Sequence, residues 1–171
     1  IMEKNLFIEL KYSSSFLIVG TTRNCEKSLR KSFNTLKSSL GKVKKLQFLF
    51  VESDSSDNTV NILNELSFEN QNFKFISLGS LKEKYPLRTQ RLAFCRNIYV
   101  NQIKENKKYK EIDYVIVSDL DNINDCLNTT ALESCWERND WDMCSANQLG
   151  PYYDMFALRH KTWMPYDYKI K

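Results

Sequence analysis

Four short apolar runs, separated by stretches of helical periodicity, limit what this chain can fold into. Phe16-Leu17-Ile18-Val19-Gly20, Leu46-Gln47-Phe48-Leu49-Phe50-Val51, Phe73-Lys74-Phe75-Ile76-Ser77-Leu78 and Tyr114-Val115-Ile116-Val117 have strand length and are rich in β-branched and aromatic residues. Between Cys25 and Leu40 the period changes, and Leu29, Phe33, Leu36 and Leu40 fall on one helical face, with Asn24 as the expected N-cap. A helix from about Asn58 would bury Val60, Leu63 and Leu66 behind a capping Asp57. A third, from Arg88 to Ile103, would turn Leu92, Cys95, Tyr99 and Ile103 inward. The strand that runs on to Asp119 reads as buried. A short helix is expected over Thr130 to Arg138, and further strands over Trp141 to Ala146 and Asp154 to Arg159. Strands alternating with helices imply parallel βαβ units with right-handed crossovers. At 171 residues the chain reads as a single domain over 1–171.

Composition removes several function classes. Gly and Pro are scarce, and 42% of residues are hydrophobic against 27% charged, which excludes a disordered chain. The formal charge is +4, and the densest basic run, Lys104 to Glu111, is interrupted by acids. Such a run reads as a solvated helix end, so no nucleic-acid partner is expected. Cys25, Cys95, Cys126, Cys135 and Cys144 form no C-x-x-C pair, which argues for reduced, core-filling thiols and against a disulfide framework or a zinc site. No stretch approaches the roughly 18 apolar residues of a transmembrane segment. Nor does the N-terminus carry the apolar core of a signal peptide, so the expected location is the cytoplasm, free or at a membrane face.

In a parallel sheet, ligands bind outside the carboxyl ends of the strands. Polar residues collect at those ends here, as Gly20-Thr21-Thr22-Arg23-Asn24, as Glu52-Ser53-Asp54-Ser55-Ser56-Asp57-Asn58-Thr59, and as Asp119-Leu120-Asp121. Residues i and i+2 of an extended segment point the same way, so Asp119 and Asp121 would face one spot. Mg²⁺ and Mn²⁺ prefer such hard oxygen ligands, and Mg²⁺ is usually held by one or two carboxylates together with substrate phosphates. A nucleoside diphosphate is the natural completing ligand.

These segments, together with Arg88-Thr89-Gln90-Arg91-Leu92-Ala93-Phe94-Cys95-Arg96-Asn97, resemble nucleotide-sugar-dependent glycosyltransferases of the GT-A fold. The resemblance spans about residues 15 to 160 in the expected order. Tyr152-Tyr153-Asp154 followed by Arg159, with the arginine-rich helix, is loosely similar to capsule-associated mannosyltransferases. It implies a Rossmann-like three-layer α/β sandwich with a mostly parallel central sheet, and a metal-assisted sugar transfer to an acceptor hydroxyl. Thr21, Thr22 and Arg23 would line the nucleotide pocket, Glu52 would accept hydrogen bonds from base or ribose, and Asp119 would contact ribose or sugar. Asp121, with Asp119, would hold Mn²⁺ or Mg²⁺. Arg88 and Arg91, three residues apart on one helical face, would meet the diphosphate, leaving Arg96 to a surface or ion-pair role. Asp154 is the candidate catalytic base, and His160, the sole histidine, reads as an ordinary packed or surface residue.

The donor implied is a nucleoside diphosphate sugar of UDP or GDP type, and the acceptor a glycan, lipid or protein. Catalytic domains of this fold are longer, so part of the acceptor side is expected to lie outside this chain. Two other readings share the same sheet and carboxylate pair. A sugar-phosphate nucleotidyltransferase would carry a Gly-rich signature with a Lys, whereas Val19-Gly20-Thr21-Thr22-Arg23 has one glycine. A non-catalytic nucleotide-sugar-binding subunit would keep the pocket and lose turnover.

Overall fold

The structure is a computed structural model that describes residues 9, 11–138 and 140–146. The chain divides into two compact units, Ile1–Asn139 and Asp140–Lys171. The elements named here belong to the first: β1 (Ser15–Thr22), α1 (Leu29–Leu40), β2 (Lys45–Glu52), α2 (Thr59–Glu69), β3 (Phe73–Ser77), α3 (Arg88–Glu105), β4 (Tyr114–Val117) and α4 (Thr129–Glu133). Single 3₁₀ turns, Lys107–Tyr109 and Ser134–Glu137, follow α3 and α4.

The four strands are all parallel, in the order β3-β2-β1-β4. From β1 the chain steps outward to β2 and β3, then crosses back to the far side of β1. The order therefore reverses between β1 and β4, where an open α/β sheet forms its ligand crevice. Both faces of β1 and β2 are covered, which is why these strands read as continuous apolar runs. On one face Phe33 of α1 packs against Phe48 and Phe73, with ring centroids 4.7 and 5.4 Å apart. On the other, Leu17, Val19, Leu49 and Val51 pack with Leu81, Cys95, Tyr99 and Tyr109 beneath α3. The domain is thus the expected three-layer α/β sandwich.

Several expectations need correction. Helix α1 starts at Leu29, after a turn closed by the Leu29 N–H donating to the Cys25 carbonyl at 2.8 Å. Asn24 does not cap it: its φ is 51°, and its side chain bonds the neighbouring loop instead. Of the inward residues expected on α3, Cys95 and Tyr99 are buried while Leu92 and Ile103 are half-buried, as is Val60 on α2. β4 ends at Val117 and is not buried throughout, since Val115 and Val117 remain 42% and 63% exposed. Their register with Leu17 and Val19 puts them on the α3 side, but α3 packs on β1 and β2 and does not reach the end of the sheet. Residues 141–146 carry no strand. Cys25 and Cys95 are buried as core thiols, whereas Cys126 and Cys144 lie exposed in irregular segments. The expected strand Asp154 to Arg159, with Tyr152, Tyr153 and His160, falls outside the described residues.

One glycine is fixed by packing rather than by its backbone angles. A Cβ on Gly20 would sit 2.6 Å from the Ser118 carbonyl oxygen and 3.2 Å from the Leu120 side chain. The backbones come this close because the Ser118 N–H donates to the Val19 carbonyl at 2.9 Å, extending the ladder one step past β4. Gly20→Ala is expected to cost about 1–3 kcal/mol through overpacking. A lower urea midpoint at unchanged slope is the signature to look for.

Candidate active site

The polar run after β2 is mainly a set of stitches between loops. Its acceptors answer the backbone donors of the β1–α1 loop across more than thirty residues of sequence. The Cys25 N–H donates to the Thr59 hydroxyl at 2.8 Å, the Glu26 N–H to Asp57 Oδ2 at 3.1 Å, and the Asn24 N–H to Ser55 Oγ at 3.1 Å. In return the Ser56 and Asn58 N–H groups donate to Asn24 Oδ1 at 2.8 Å and Glu26 Oε2 at 2.9 Å. Asp57 Oδ1 also takes the Thr59 N–H at 3.0 Å, so the expected helix-capping role is present, from one residue ahead of the N-cap Asn58. Burial works to raise the Asp57 carboxyl, but the Thr59 hydroxyl and the N–H groups of Glu26 and Thr59 hold it below its ordinary value.

Asp54 ties the same run to the β3–α3 loop. Its backbone has φ 58° and its side chain is only 2% exposed. Oδ1 accepts the Leu81 and Lys82 N–H groups at 2.9 and 3.2 Å, and Oδ2 faces Arg91 Nε at 3.6 Å. Burial pushes this carboxyl up. The two backbone donors, the Ser53 side chain and the Arg91 charge outweigh that push, and it lies below its ordinary value.

Glu52, at the end of β2, is buried, with Oε1 accepting the Ser55 N–H at 2.9 Å and Oε2 accepting the Ser77 hydroxyl. With Asp54, Ser55, Ser77 and Lys82 it lines a cavity of about 260 Å³ between the ends of β2 and β3. Its register partner on β1 is Thr22, whose buried hydroxyl meets no hydrogen-bond partner among the described residues. Thr21 beside it is half-buried. Arg23 is exposed and reaches the Asp54 carbonyl with Nε at 3.3 Å.

Past β4 the chain alternates inward and outward. Ser118 and Leu120 are buried; Asp119 and Asp121 are exposed. Backbone carbonyls anchor this loop, leaving the carboxylates outside. The Leu120 carbonyl accepts the Ser28 hydroxyl at 2.9 Å, and the Asp119 carbonyl accepts Asn124 Nδ2 at 2.8 Å. Arg96 lies 3.9 Å from Asp119 Oδ1. Among the described residues no group of three or more His, Cys, Asp or Glu side chains could hold a metal ion alone.

No family model and no curated protein matches this chain. Solved structures of S. aureus TarS do.

 The first 349 residues of that protein in complex with UDP-GlcNAc match at 23% identity and a TM-score of 0.48, over 71% of this chain and 30% of that one. A crystal structure of TarS matches at 21% identity and a TM-score of 0.44, over 63% of this chain and 16% of that one. The chain thus spans less than a third of the length of these structures. A likeness of this degree assigns no family.

The residues expected at the site are distributed in three ways. Thr21, Thr22, Arg23, Glu52, Asp119 and Asp121 all lie on the carboxyl rim of the sheet, while Asp154 is outside the described residues. On α3 the arginines diverge. The Arg91 guanidinium is occupied by the Tyr85 and Pro86 carbonyls, at 2.7 and 2.8 Å, and by Asp54, so it braces the loop before α3. Arg88 is exposed at the first turn. Arg96 makes the ion pair reserved for it, and its partner is Asp119 of the carboxylate pair itself. Sequence reasoning missed Asp54 and Ser77, whose roles rest on partners far along the chain, and Asn124, which bonds Ser118 and Asp119 within its own loop. Only Asp54 carried a signal, as an acid inside the polar run after an apolar strand.

Proposed function

We propose that this chain is the donor-binding part of a GT-A-type glycosyltransferase, which moves a sugar from a nucleoside diphosphate sugar of UDP or GDP type to an acceptor hydroxyl. The observation that carries the reading is that a buried acid lining an open cavity at the ends of β2 and β3 shares one rim with an exposed carboxylate pair past β4, beside the topological switch point. In this reading the base enters the cavity beside Glu52, and the ribose lies over the end of β1 at Thr21 and Thr22. The diphosphate extends towards Arg88 and the carboxylate pair, with Asp119 contacting ribose or sugar. Asp121, with Asp119, would hold Mn²⁺ or Mg²⁺. With that cation bound, the charge that develops on the departing diphosphate is neutralised. Asp154 remains the candidate base towards a glycan, lipid or protein acceptor.

A thermal-shift panel of UDP-, GDP-, CMP- and dTDP-sugars, each with and without Mn²⁺, tests the reading. A ligand at a hundred times its dissociation constant adds about 2.7 kcal/mol of stability. One base class is expected to stabilise the protein, more so with Mn²⁺, and no shift across the panel would overturn the donor assignment. Glu52→Gln keeps an acceptor for the Ser55 N–H but loses the charge. A hydrogen bond to a charged group contributes roughly 1.5–3 kcal/mol, so affinity for the free nucleoside diphosphate is expected to fall tenfold or more. Equal calorimetric affinities for the two proteins would remove Glu52 from base recognition.

A further inference from the structure

The end of the sheet opposite the rim carries a charge concentration that the donor reading does not use. In a parallel sheet each helix-to-strand connection returns to the amino edge. Lys42 and Lys44 lie in the α1–β2 connection, Lys45 opens β2, and Lys74 is the second residue of β3. Lys104 sits in the last turn of α3, with Lys107, Lys108 and Lys110 in and just after the 3₁₀ turn that follows. Eight lysines thus gather at one edge, against the three exposed acids Glu105, Glu111 and Asp113, in a chain whose formal charge is only +4.

Three of them lie on one face. Lys74 is the register partner of Leu49, which packs beneath α3, and the two-residue period of β2 puts Lys45 on the same side. The end of α3 brings Lys108 there. Burial, then the charges of Lys74 and Lys45, push the Lys108 ammonium below its ordinary value, so Lys108 feels the repulsion of both. Elsewhere the cations are mixed: Lys31 pairs with Asp125, and Arg30 with Glu65 and Glu69, whereas Lys27, Lys82, Lys84 and Arg88 have no carboxylate partner among the described residues. Among the described residues none of these eight lysines has a carboxylate partner. Asp113, at the same edge, uses Oδ2 to accept the Ser15 N–H at 2.7 Å.

A second observation belongs to the same edge. Phe68, in the last turn of α2, is 93% exposed, although Leu63 and Leu66 on that helix are buried. We propose that the amino edge of the sheet docks on an anionic phospholipid surface, the lysines against the headgroups and the Phe68 ring in the interface. The array contains lysines and no arginine. Such an array offers point charges without the planar forks that read a shaped anion, and it responds to the potential of an extended surface. A protruding aromatic ring adds the apolar contact that charge alone lacks, and two signals together give stable peripheral binding. Docked this way, the carboxyl rim faces away from the lipid and stays open to water. The inference is independent of which nucleotide the rim binds.

Co-sedimentation of the full chain with vesicles tests it. Pelleting is expected with phosphatidylcholine vesicles that contain one-third phosphatidylglycerol, but not with phosphatidylcholine alone, and should fall as salt shortens the screening length. Each lysine near an anionic surface contributes about fivefold in partitioning, so Lys45, Lys74 and Lys108 changed together to Gln should lose about a hundredfold. Phe68→Ser should lose about tenfold while keeping the salt dependence. Far-UV circular dichroism and melting temperature confirm that each variant is folded. A second set, Lys42, Lys44 and Lys107 changed to Gln, lies outside the strands and repeats the charge test should the first set lose its fold. Equal pelleting with neutral and anionic vesicles overturns the proposal, as does wild-type pelleting by folded lysine variants. Binding to a duplex oligonucleotide or heparin without binding to anionic vesicles would overturn it in favour of a polyanionic partner.

Discussion

Asp121→Ala is expected to weaken Mn²⁺-dependent binding of the nucleotide donor by about a hundredfold or more, since even outer-shell partners of a bound metal are worth 10–100-fold. The same change should leave the fold almost untouched. Asp121 is exposed, while Leu120 beside it anchors the loop through its buried side chain and through the carbonyl that takes the Ser28 hydroxyl. Surface substitutions of this kind lie within about 0.5 kcal/mol, which for a domain of this size means a shift of about 1–2 °C. Titration calorimetry of the nucleoside diphosphate, with and without Mn²⁺, separates the two effects. If the Mn²⁺-dependent gain in affinity survives in the mutant, Asp121 is not a ligand. Asp119→Ala is a different case, because it also releases Arg96 from a half-exposed ion pair at 3.9 Å. Such pairs contribute about 0–1 kcal/mol, so its stability effect is small as well.

How much of this was legible in the sequence depends on how local each cause is. The sandwich was, because β1 and β2 are covered on both faces and each therefore reads as an unbroken apolar run. β4 has the same apolar character, yet Val115 and Val117 are exposed. An apolar run says nothing about whether a helix reaches the strand beside it. The start of α1 was misread for a related reason. Asn24 has the chemistry of a cap, but a long-range bond from the Ser56 N–H holds it in a left-handed conformation outside the helix.

The rim was legible as a location and not as a set of contacts. Strand ends and parallel topology together put Thr22, Glu52 and Asp119 on one edge. Spacing on α3 gave the angles between its arginines but not the direction in which the helix faces. Arg91 therefore turns out to brace the loop at Tyr85 and Pro86, while Arg96 reaches Asp119. The polar run after β2 is informative in the same limited way. Its composition marks a loop at a strand end, but its stitches to Asn24, Cys25, Glu26, Leu81 and Lys82 are properties of the folded rim.

Among those stitches Asp54 is expected to matter most for stability. Asp54→Ala would strip the acceptor from two backbone N–H groups, of Leu81 and Lys82, and leave the Arg91 guanidinium, 12% exposed, without its carboxylate. Removing one partner of a buried ion pair costs about 3–5 kcal/mol. The 3.6 Å separation and the two carbonyls that still hold Arg91 favour the lower end, about 3 kcal/mol, a large part of the 5–15 kcal/mol that keeps an ordinary domain folded. Asp54→Asn keeps one oxygen acceptor and isolates the charge. In the folded chain this carboxyl lies below its ordinary value, so as pH falls the unfolded chain takes up the proton first. The charge's contribution is therefore complete above the unfolded carboxylate pKa of about 4 and is lost as pH drops through the lower, folded value. Urea unfolding of the wild type should weaken steeply across that window, and that of Asp54→Asn less steeply. Some acid sensitivity should persist in the variant, because Asp57 is depressed in the same direction by its own donors. Parallel stability curves for the two proteins through the acid range would mean that hydrogen bonding alone, and not the charge facing Arg91, fastens the β3–α3 loop beside the cavity.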